Sequence, residues 1–409
     1  MTTSATSDQS ATSDDYESAE RRSLAELTAD FTANEIAPNL RAWEEAGELP
    51  RSLSRRAGDL GLLGLSYPEE FGGSGGDLRD VVVMTEQVLA NGGSGGLISA
   101  LFTHGISIPH VVDAARRRLA AGDDVGAEHL IDAVIRPTLT GRAITCLAVT
   151  EPDGGSDVGG LRTTAEPIVD DSGTTTGWRL LGAKAYITSG ARADYAVVAA
   201  RAFGAGAAGV ALFVVPTDTP GFTVVSRMQK MGWHCSDTAE LALTDVTVPA
   251  WSLLTPGPGE GFASLARHFA VERISLAVTA YATAARCLDL TLAWTRERQT
   301  FGRPLVGRQV VRHDLVEMYR QIDVARTYTR SVAAKVADGE DDLLGAALAK
   351  TTAVQACDFV VDRAVQLHGG FGFLRDAEVE MHYRDARVLG IGGGATEVMT
   401  DLAAKLLGY

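Results

Sequence analysis

Cysteine is scarce in this chain of 409 residues: Cys146, Cys235, Cys287 and Cys357 lie far apart, with no Cys-x-x-Cys pair and no histidine at metal-ligand spacing. That excludes a disulfide framework and a zinc site, and it predicts free, buried thiols in a reducing compartment. Cys235 stands beside His234, but adjacent residues usually point apart, so no nucleophile pair is expected there. Positive charge is also short. With 37 lysines and arginines against 52 acidic residues the formal net charge is −15, and no basic run is present to displace counterions from a phosphate backbone, which excludes nucleic acid as a partner. A basic-then-apolar leader and a long uncharged apolar run are both missing, so the expectation is a cytoplasmic protein with no membrane segment.

What is plentiful is apolar and glycine residues. At 45% hydrophobic content the chain can bury large cores, and its length predicts two or three domains. Residues 1–15 are rich in Ser, Thr and Asp, a composition that predicts a disordered tail. Over residues 16–142 apolar side chains recur at helical spacing, as in Leu24, Leu27, Phe31 and Ile36, predicting an N-terminal helical domain. Over residues 143–254 the texture turns to short β-rich runs such as Val210 to Val215, separated by Gly, Pro, Asp and Thr. Thr255-Pro256-Gly257-Pro258-Gly259 then breaks the chain, and helical patterns fill residues 255–409, with a turn near Gly339 to Asp342.

The most distinctive stretch is Thr150-Glu151-Pro152-Asp153-Gly154-Gly155-Ser156-Asp157, directly after the apolar run Ala143 to Val149. It predicts a strand that ends in a tight polar corner. Two adjacent glycines let backbone N–H groups approach a ligand closely, and the Thr150 and Ser156 hydroxyls add short donors; this suits a flavin and its phosphates as well as it suits an ordinary hairpin loop. Downstream stand Lys184-Ala185-Tyr186-Ile187-Thr188-Ser189-Gly190 and Arg298-Gln299-Thr300-Phe301-Gly302. Three further segments accompany them: Leu62-Leu63-Gly64-Leu65 with Pro68-Glu69-Glu70-Phe71-Gly72-Gly73, Ser236-Asp237-Thr238 through Val246, Val248 and Pro249, and Gln366-Leu367-His368-Gly369-Gly370 with Phe371-Gly372. In this order and spacing the set resembles the acyl-CoA dehydrogenase family, flavoenzymes that oxidise acyl-CoA thioesters to 2-enoyl-CoA. The resemblance runs over residues 16–409.

The implied fold is multidomain α+β: an N-terminal helical domain, a middle β-barrel-like domain and a C-terminal four-helix-bundle domain. The implied chemistry removes the α-proton of a saturated thioester and passes the β-hydrogen as hydride to flavin N5, which needs a positioned carboxylate and donors to the thioester oxygen. Many members keep that carboxylate near the C-terminus in a Tyr-Glu-Gly-Thr stretch, whereas this chain reads Ile391-Gly392-Gly393-Gly394-Ala395, with Gly393 in the carboxylate's place. Long-chain and isovaleryl-type members carry a glycine there and a glutamate on a helix just before an arginine. Here that pair is Glu272-Arg273, so the resemblance implies Glu272 as the base. Arg273 would lie along the pocket rim, and the Gly393 N–H would donate to the thioester oxygen. A solvated helix charge is the competing reading of Glu272.

For the cofactor, FAD, the resemblance assigns Leu147, Val149, Thr150, Gly155 and Ser156 to the isoalloxazine and pyrophosphate side, with Ser156 also near the CoA chain. Tyr186, in place of a tryptophan of many members, would cover the ring and Thr188 would reach N5. Arg298, Thr300, Phe301 and Gln309, with Gln366, Gly369 and Gly370, match adenosine-side ligands that the family supplies from a neighbouring subunit. Ala395, where threonine is usual, and Glu397 complete the set. The implied partners are an acyl-CoA, an electron-transfer flavoprotein and further copies of the chain in a homotetramer. Two rival readings share the fold: an oxidase or monooxygenase that uses oxygen, and a non-catalytic partner subunit. Val388-Leu389-Gly390-Ile391-Gly392-Gly393-Gly394-Ala395 imitates a dinucleotide fingerprint, but the acidic residue required about twenty positions on is absent because the sequence ends at Tyr409.

Overall fold

Ser18 opens the first helix, α1 (Ala19–Phe31), by accepting the backbone N–H of Arg21 at 3.2 Å. The computed structural model describes residues 15–409, so the tail read over residues 1–15 lies, Asp15 apart, outside the described residues. Seven more helices follow: α2 (Leu40–Ala46), α3 (Arg51–Asp59), α4 (Leu78–Ala90), α5 (Gly95–Leu101), α6 (Ile108–Ala121), α7 (Asp124–Leu130) and α8 (Arg136–Leu139). Asp77 and Asp80 form a reciprocal capping box at the start of α4. The two faces of α4 serve different cores: Leu78, Val82 and Val83 pack toward the C-terminal helices, while Met84 and Val88 pack among Phe31, Ile36 and Leu97.

The middle of the chain is one seven-stranded sheet. Its strands are β1 (Thr145–Ala148), β2 (Thr164–Val169), β3 (Thr175–Thr188), β4 (Tyr195–Arg201), β5 (Val210–Pro216), β6 (Phe222–Arg227) and β7 (Thr238–Pro249). The order is β1-β4-β2-β3-β7-β6, with β5 on the other side of β4. β1 runs parallel to β4, pairing Thr145 with Tyr195 and Ala148 with Val198. The barrel-like middle domain expected from the sequence is present as a curled sheet: β5 pairs with β4 and β6 with β7, and these two edges do not pair with each other among the described residues. Its inner side buries Cys146, Ala148, Leu180, Phe213 and Val246.

The C-terminal part is built on three long helices, α9 (Glu260–Glu297), α10 (Gln309–Ala337) and α11 (Leu343–His368), with α12 (Glu378–Ala386) and α13 (Thr396–Leu407) packed on them. At 38 residues α9 reaches roughly 57 Å at 1.5 Å per residue. Alanines face one another across the α9 and α11 contact, including Ala277, Ala280 and Ala284 against Ala349, Ala353 and Ala356, which lets the two backbones approach closely. Within Leu343–Phe373 one 18-residue window is apolar enough, by length and composition, to cross a membrane, but the segment carries Lys350, Asp358, Asp362 and Arg363 and is not the long uncharged run that the sequence lacks. Its apolarity serves the helix core instead, since 61% of the window is buried inside the protein. A fourth core, joining Ile108, Val111 and Leu130 to Val149, Leu212 and Leu265, ties the N-terminal helices, the sheet and the start of α9 together. All four cysteines are free and buried, and burial pushes the Cys235 thiol far above its ordinary pKa, so it is no nucleophile.

Candidate active site

The polar corner forms as its sequence predicts. β1 ends at Ala148, and Glu151 and Gly154 exchange backbone hydrogen bonds at 3.0 and 3.1 Å, folding Pro152 and Asp153 outward. Gly155 lies against Thr150: a Cβ there would stand 3.5 Å from the Thr150 methyl. The corner is held from below by a side chain whose role sequence reasoning missed. Lys184, 1% exposed, donates to the Val149 carbonyl at 3.0 Å and to Glu151 Oε1 at 2.9 Å, while Glu151 also accepts the backbone N–H groups of Arg162 at 2.6 Å and Thr163 at 2.8 Å. Burial lowers the Lys184 pKa to about 8 despite its partner, and these hydrogen bonds and the ammonium hold Glu151 down to about 2 against the cost of its own burial.

Next to the corner, β3 bulges. The register against β7 slips between Lys184 and Ile187, and Tyr186 takes φ +59 with its ring 65% exposed. Ser189 repeats the left-handed conformation at φ +59. Two non-glycine residues in that region within four positions mark a backbone shaped for a task rather than for sheet regularity. The side-chain hydroxyls of Thr150, Ser156, Tyr186 and Thr188 make no hydrogen bond to protein among the described residues. Leu147, Val149 and the ring of Phe269 on α9 belong to one apolar cluster, which brings the corner and the glutamate's helix into the same core.

On α9, Glu272 and Gly393 meet although 121 positions separate them in sequence. A Cβ built on Gly393 would lie 3.4 Å from Glu272 Oε1. The two places where a carboxylate base is known in the resembling family therefore lie side by side, with Leu276 Cδ1 at 2.4 Å from the same Cβ position. Glu272 is half-buried by accessible surface, but protein surrounds it densely enough that burial raises its pKa; Lys350 and Arg273 pull in the opposite direction. The reading of Glu272 as a solvated helix charge is not what the structure contains. Arg273 stacks its guanidinium 5.9 Å from the Phe269 ring centroid and leaves Nε buried without a partner. Gly393 itself sits at φ +61, a conformation that glycine adopts freely.

The remaining candidates gather elsewhere. Arg298, Thr300, Gly369 and Gly370 line one cavity of about 360 Å³ together with Trp294, His368 and Phe371, and no residue of the sheet lines it. Trp294 stacks with the rings of His368 and Phe371, each centroid 5.1 Å away, and carries a buried Nε1–H without a partner among the described residues. Trp294 was not singled out in the sequence, although it stands four residues before Arg298. The Arg298 guanidinium lies 5.9 Å from the Trp294 ring and makes no ion pair among the described residues. Thr300 is held by Arg308, which donates to its hydroxyl at 3.1 Å and its carbonyl at 2.8 Å. Phe301, 97% exposed at φ +49, stands outside this cavity, as do Gln309 at the start of α10 and the exposed Gln366. Ala395 occupies the N-cap position of α13 with no side-chain cap, and Glu397 lies in the first turn, where a carboxylate suits the helix dipole. The imitation of a dinucleotide fingerprint resolves into a 3-10 turn, Arg387–Gly390, and a glycine loop, with no strand before it.

Comparison with known proteins matches three family models in chain order: the acyl-CoA dehydrogenase N-terminal domain over residues 18–116, the middle domain over 146–246 and the C-terminal domain over 259–408. The probable acyl-CoA dehydrogenase YngJ of Bacillus subtilis is 33% identical across 95% of this chain and 98% of its own length. The mitochondrial long-chain specific acyl-CoA dehydrogenase of Rattus norvegicus is 32% identical across 95% of this chain and 86% of its own. A solved structure of a probable acyl CoA dehydrogenase from Mycobacterium abscessus superposes with a TM-score of 0.89 at 49% identity, covering 96% of this chain and 100% of that one.

Proposed function

The chain belongs to the acyl-CoA dehydrogenase family, flavin-dependent oxidoreductases acting on acyl-CoA, and from that premise we propose that it catalyses FAD-dependent α,β-dehydrogenation of an acyl-CoA to the 2-enoyl-CoA. Glu272 takes the α-proton and the Gly393 N–H donates to the thioester oxygen, where negative charge grows as the proton leaves. Bound FAD supplies the acceptor for the β-hydride. The observation that carries this reading is the convergence of Glu272 Oε1 on the space beside Gly393. A carboxylate whose pKa is raised by burial is also a stronger base toward a weakly acidic C–H than an exposed one.

The free hydroxyls of Thr150, Ser156 and Thr188 and the exposed Tyr186 ring supply the isoalloxazine side, with Leu147, Val149 and Gly155 as its floor. The Arg298 cavity supports an adenosine and pyrophosphate role: an unpaired guanidinium matches phosphate oxygens, and glycines 369 and 370 have open space in front of them. Because that cavity shares no wall with the sheet, we assign Arg298, Thr300, Phe301, Gln309, Gln366, Gly369 and Gly370 to the FAD of a neighbouring copy, with Ala395 and Glu397 beside the glycine loop. Such sharing requires at least two copies, and the homotetramer that the family resemblance implies would supply them. The exposed apolar side chains Phe301, Val310, Val316, Tyr319 and Phe373 support burial against other copies. Electrons would leave to an electron-transfer flavoprotein; a relative 27% identical across 96% of this chain, CarC of Acetobacterium woodii, is named as a subunit of such an Etf complex. The same reading places the enzyme in the cytoplasm.

The test is anaerobic mixing of the purified flavoprotein with a panel of acyl-CoAs of different length and branching, following loss of the oxidised flavin absorbance. At least one member of the panel is expected to bleach the flavin without oxygen. No bleaching by any of them would overturn the dehydrogenase reading, and turnover only with oxygen present would put the oxidase or monooxygenase in its place. Cofactor retention gives a second expected result. Arg298→Ala should weaken FAD binding roughly 10- to 100-fold, the equivalent of one lost charge-assisted contact of about 1.5–3 kcal/mol. Equilibrium dialysis of a well-folded variant is the measurement, and an unchanged Kd would remove Arg298 from the cofactor site.

A further inference from the structure

One lysine is buried in the apolar length of α11. Lys350, 1% exposed, is surrounded by Ala346, Ala347, Ala349, Ala353 and Val354 on its own helix. Its ammonium reaches the glycine loop, donating to the Gly392 carbonyl at 2.5 Å and also to the Gly394 carbonyl. A charged side chain in such a place is costly unless its hydrogen bonds are met. These two carbonyls meet them.

Their position matters because Gly392 O and Gly393 N–H belong to the same peptide group. A trans peptide is planar, with its C=O and N–H pointing to opposite sides, so a cation fixed on the oxygen side sets the direction of the N–H. The Gly393 N–H has no hydrogen-bond acceptor among the described residues. Without such a clamp the segment Gly392-Gly393-Gly394, with φ +61 and +96 at its last two members, is the most permissive kind of backbone. A cation on the carbonyl also draws electron density from the nitrogen side, which makes the N–H a better donor.

We propose that Lys350 is a positioning residue for the reaction: its ammonium fixes and polarises the Gly392–Gly393 peptide, so that the Gly393 N–H is aimed at the substrate's thioester oxygen and strengthened as charge develops there. This rests on the dehydrogenase reading given above. Burial lowers the Lys350 pKa to about 8, with Glu272 raising it and Arg273 lowering it, so the clamp is charged at neutral pH. The two charged groups that act on Lys350 are therefore Glu272, whose carboxylate favours the ammonium, and Arg273, whose guanidinium opposes it.

The experiment uses the FAD-loaded enzyme, with the variants Lys350→Gln, which keeps a donor but not the charge, and Lys350→Arg, which keeps the charge. The readouts are the carbonyl stretch of a bound ¹³C-thioester-labelled 2-enoyl-CoA and the rate constant for anaerobic flavin reduction at saturating acyl-CoA. In the parent the bound stretch should lie below that of free enoyl-CoA. In Lys350→Gln it should return toward the free value, with reduction roughly tenfold slower or more, somewhat below the loss of a whole oxyanion donor, and a Kd for acyl-CoA within a few-fold of the parent's. Lys350→Arg should regain part of both. A lysine that merely supports the fold would change stability without moving the stretch. If Lys350→Gln does not yield loaded enzyme, the parent decides: the stretch should relax toward the free value as pH rises through about 8, and a stretch constant through that range overturns the proposal. A parent that is reduced by acyl-CoA and shifts the carbonyl, beside a Lys350→Gln enzyme that does both equally, overturns the role of Lys350 alone. A parent that no acyl-CoA reduces overturns the dehydrogenase reading and this proposal with it.

Discussion

Glu272→Gln is expected to slow flavin reduction by acyl-CoA at least ~10²-fold, the low end for a lost general base, while FAD occupancy and acyl-CoA affinity stay near the parent's. Glutamine keeps the volume and the hydrogen-bonding reach of the side chain but cannot accept the α-proton. The effect should be large because the other position that holds a base in the resembling family is Gly393, which has no carboxylate to take over. The pH dependence follows from the same group. Burial raises the Glu272 pKa, so the parent's reduction rate should climb with pH through a value above the ordinary carboxylate range as the side chain ionises. In Glu272→Gln that limb should vanish. Anaerobic stopped-flow across pH is the measurement, and a rate within a few-fold of the parent would remove Glu272 from the mechanism and favour a flavoenzyme that uses oxygen.

Returning the carboxylate at position 393 is the natural complement, and the packing around Gly393 sets its condition. A Cβ on Gly393 would stand 2.4 Å from Leu276 Cδ1, and any side chain there inherits φ +61. Glu272→Gln with Gly393→Glu alone is thus expected to recover little. The obstacle is the end of a flexible side chain rather than backbone, so rescue requires Leu276→Ala as well.

How much of this was legible in the sequence depended on whether the residues involved are neighbours in the chain. The corner from Thr150 to Ser156 is local, and its glycines and hydroxyls announce a tight, donor-rich turn wherever the strand before it is placed. The base was legible only through the family resemblance, by noting that Gly393 lacks a carboxylate and Glu272 precedes an arginine. Lys350 was not, although a lone cation within the apolar run from Leu343 to Val361 is a readable anomaly. Which carbonyls it meets is decided by how α11 packs against a loop more than forty residues on. The curl of the sheet was legible only in outline, for a related reason. Alternating apolar residues specify strands and faces, whereas closure depends on whether β5 and β6 meet, and their pairing partners are set by topology.

The Lys184 and Glu151 pair carries the second large effect, and the two partners should not be equivalent. Both pKa values are lowered, with opposite consequences for stability: Glu151 is held down to about 2 in its favoured charged form, whereas Lys184, at 1% exposure, falls to about 8 because burial outweighs its attraction to the carboxylate. The pair as a whole is therefore a weak stabiliser, with the lysine's desolvation opposing it. Glu151→Ala removes the acceptor of three donors at once, the Lys184 ammonium and the backbone N–H groups of Arg162 and Thr163. It should cost about 3–5 kcal/mol, the range for a buried pair broken from one side, and it should loosen the corner enough to lower FAD occupancy. Lys184→Met leaves Glu151 its two backbone donors and replaces a strained cation by an apolar side chain of similar length, so its cost should be the smaller. For Glu151 the sign in pH is fixed by its lowered pKa: the stability it confers is present above the unfolded carboxylate's pKa and is lost as pH falls toward about 2. Lys184 acts oppositely, its charging penalty being present at neutral pH and fading as pH rises above about 8. Urea unfolding at neutral pH, followed by both flavin release and circular dichroism, compares the two variants. A Lys184→Met enzyme less stable than Glu151→Ala would show that the ammonium, rather than the carboxylate, holds the corner together.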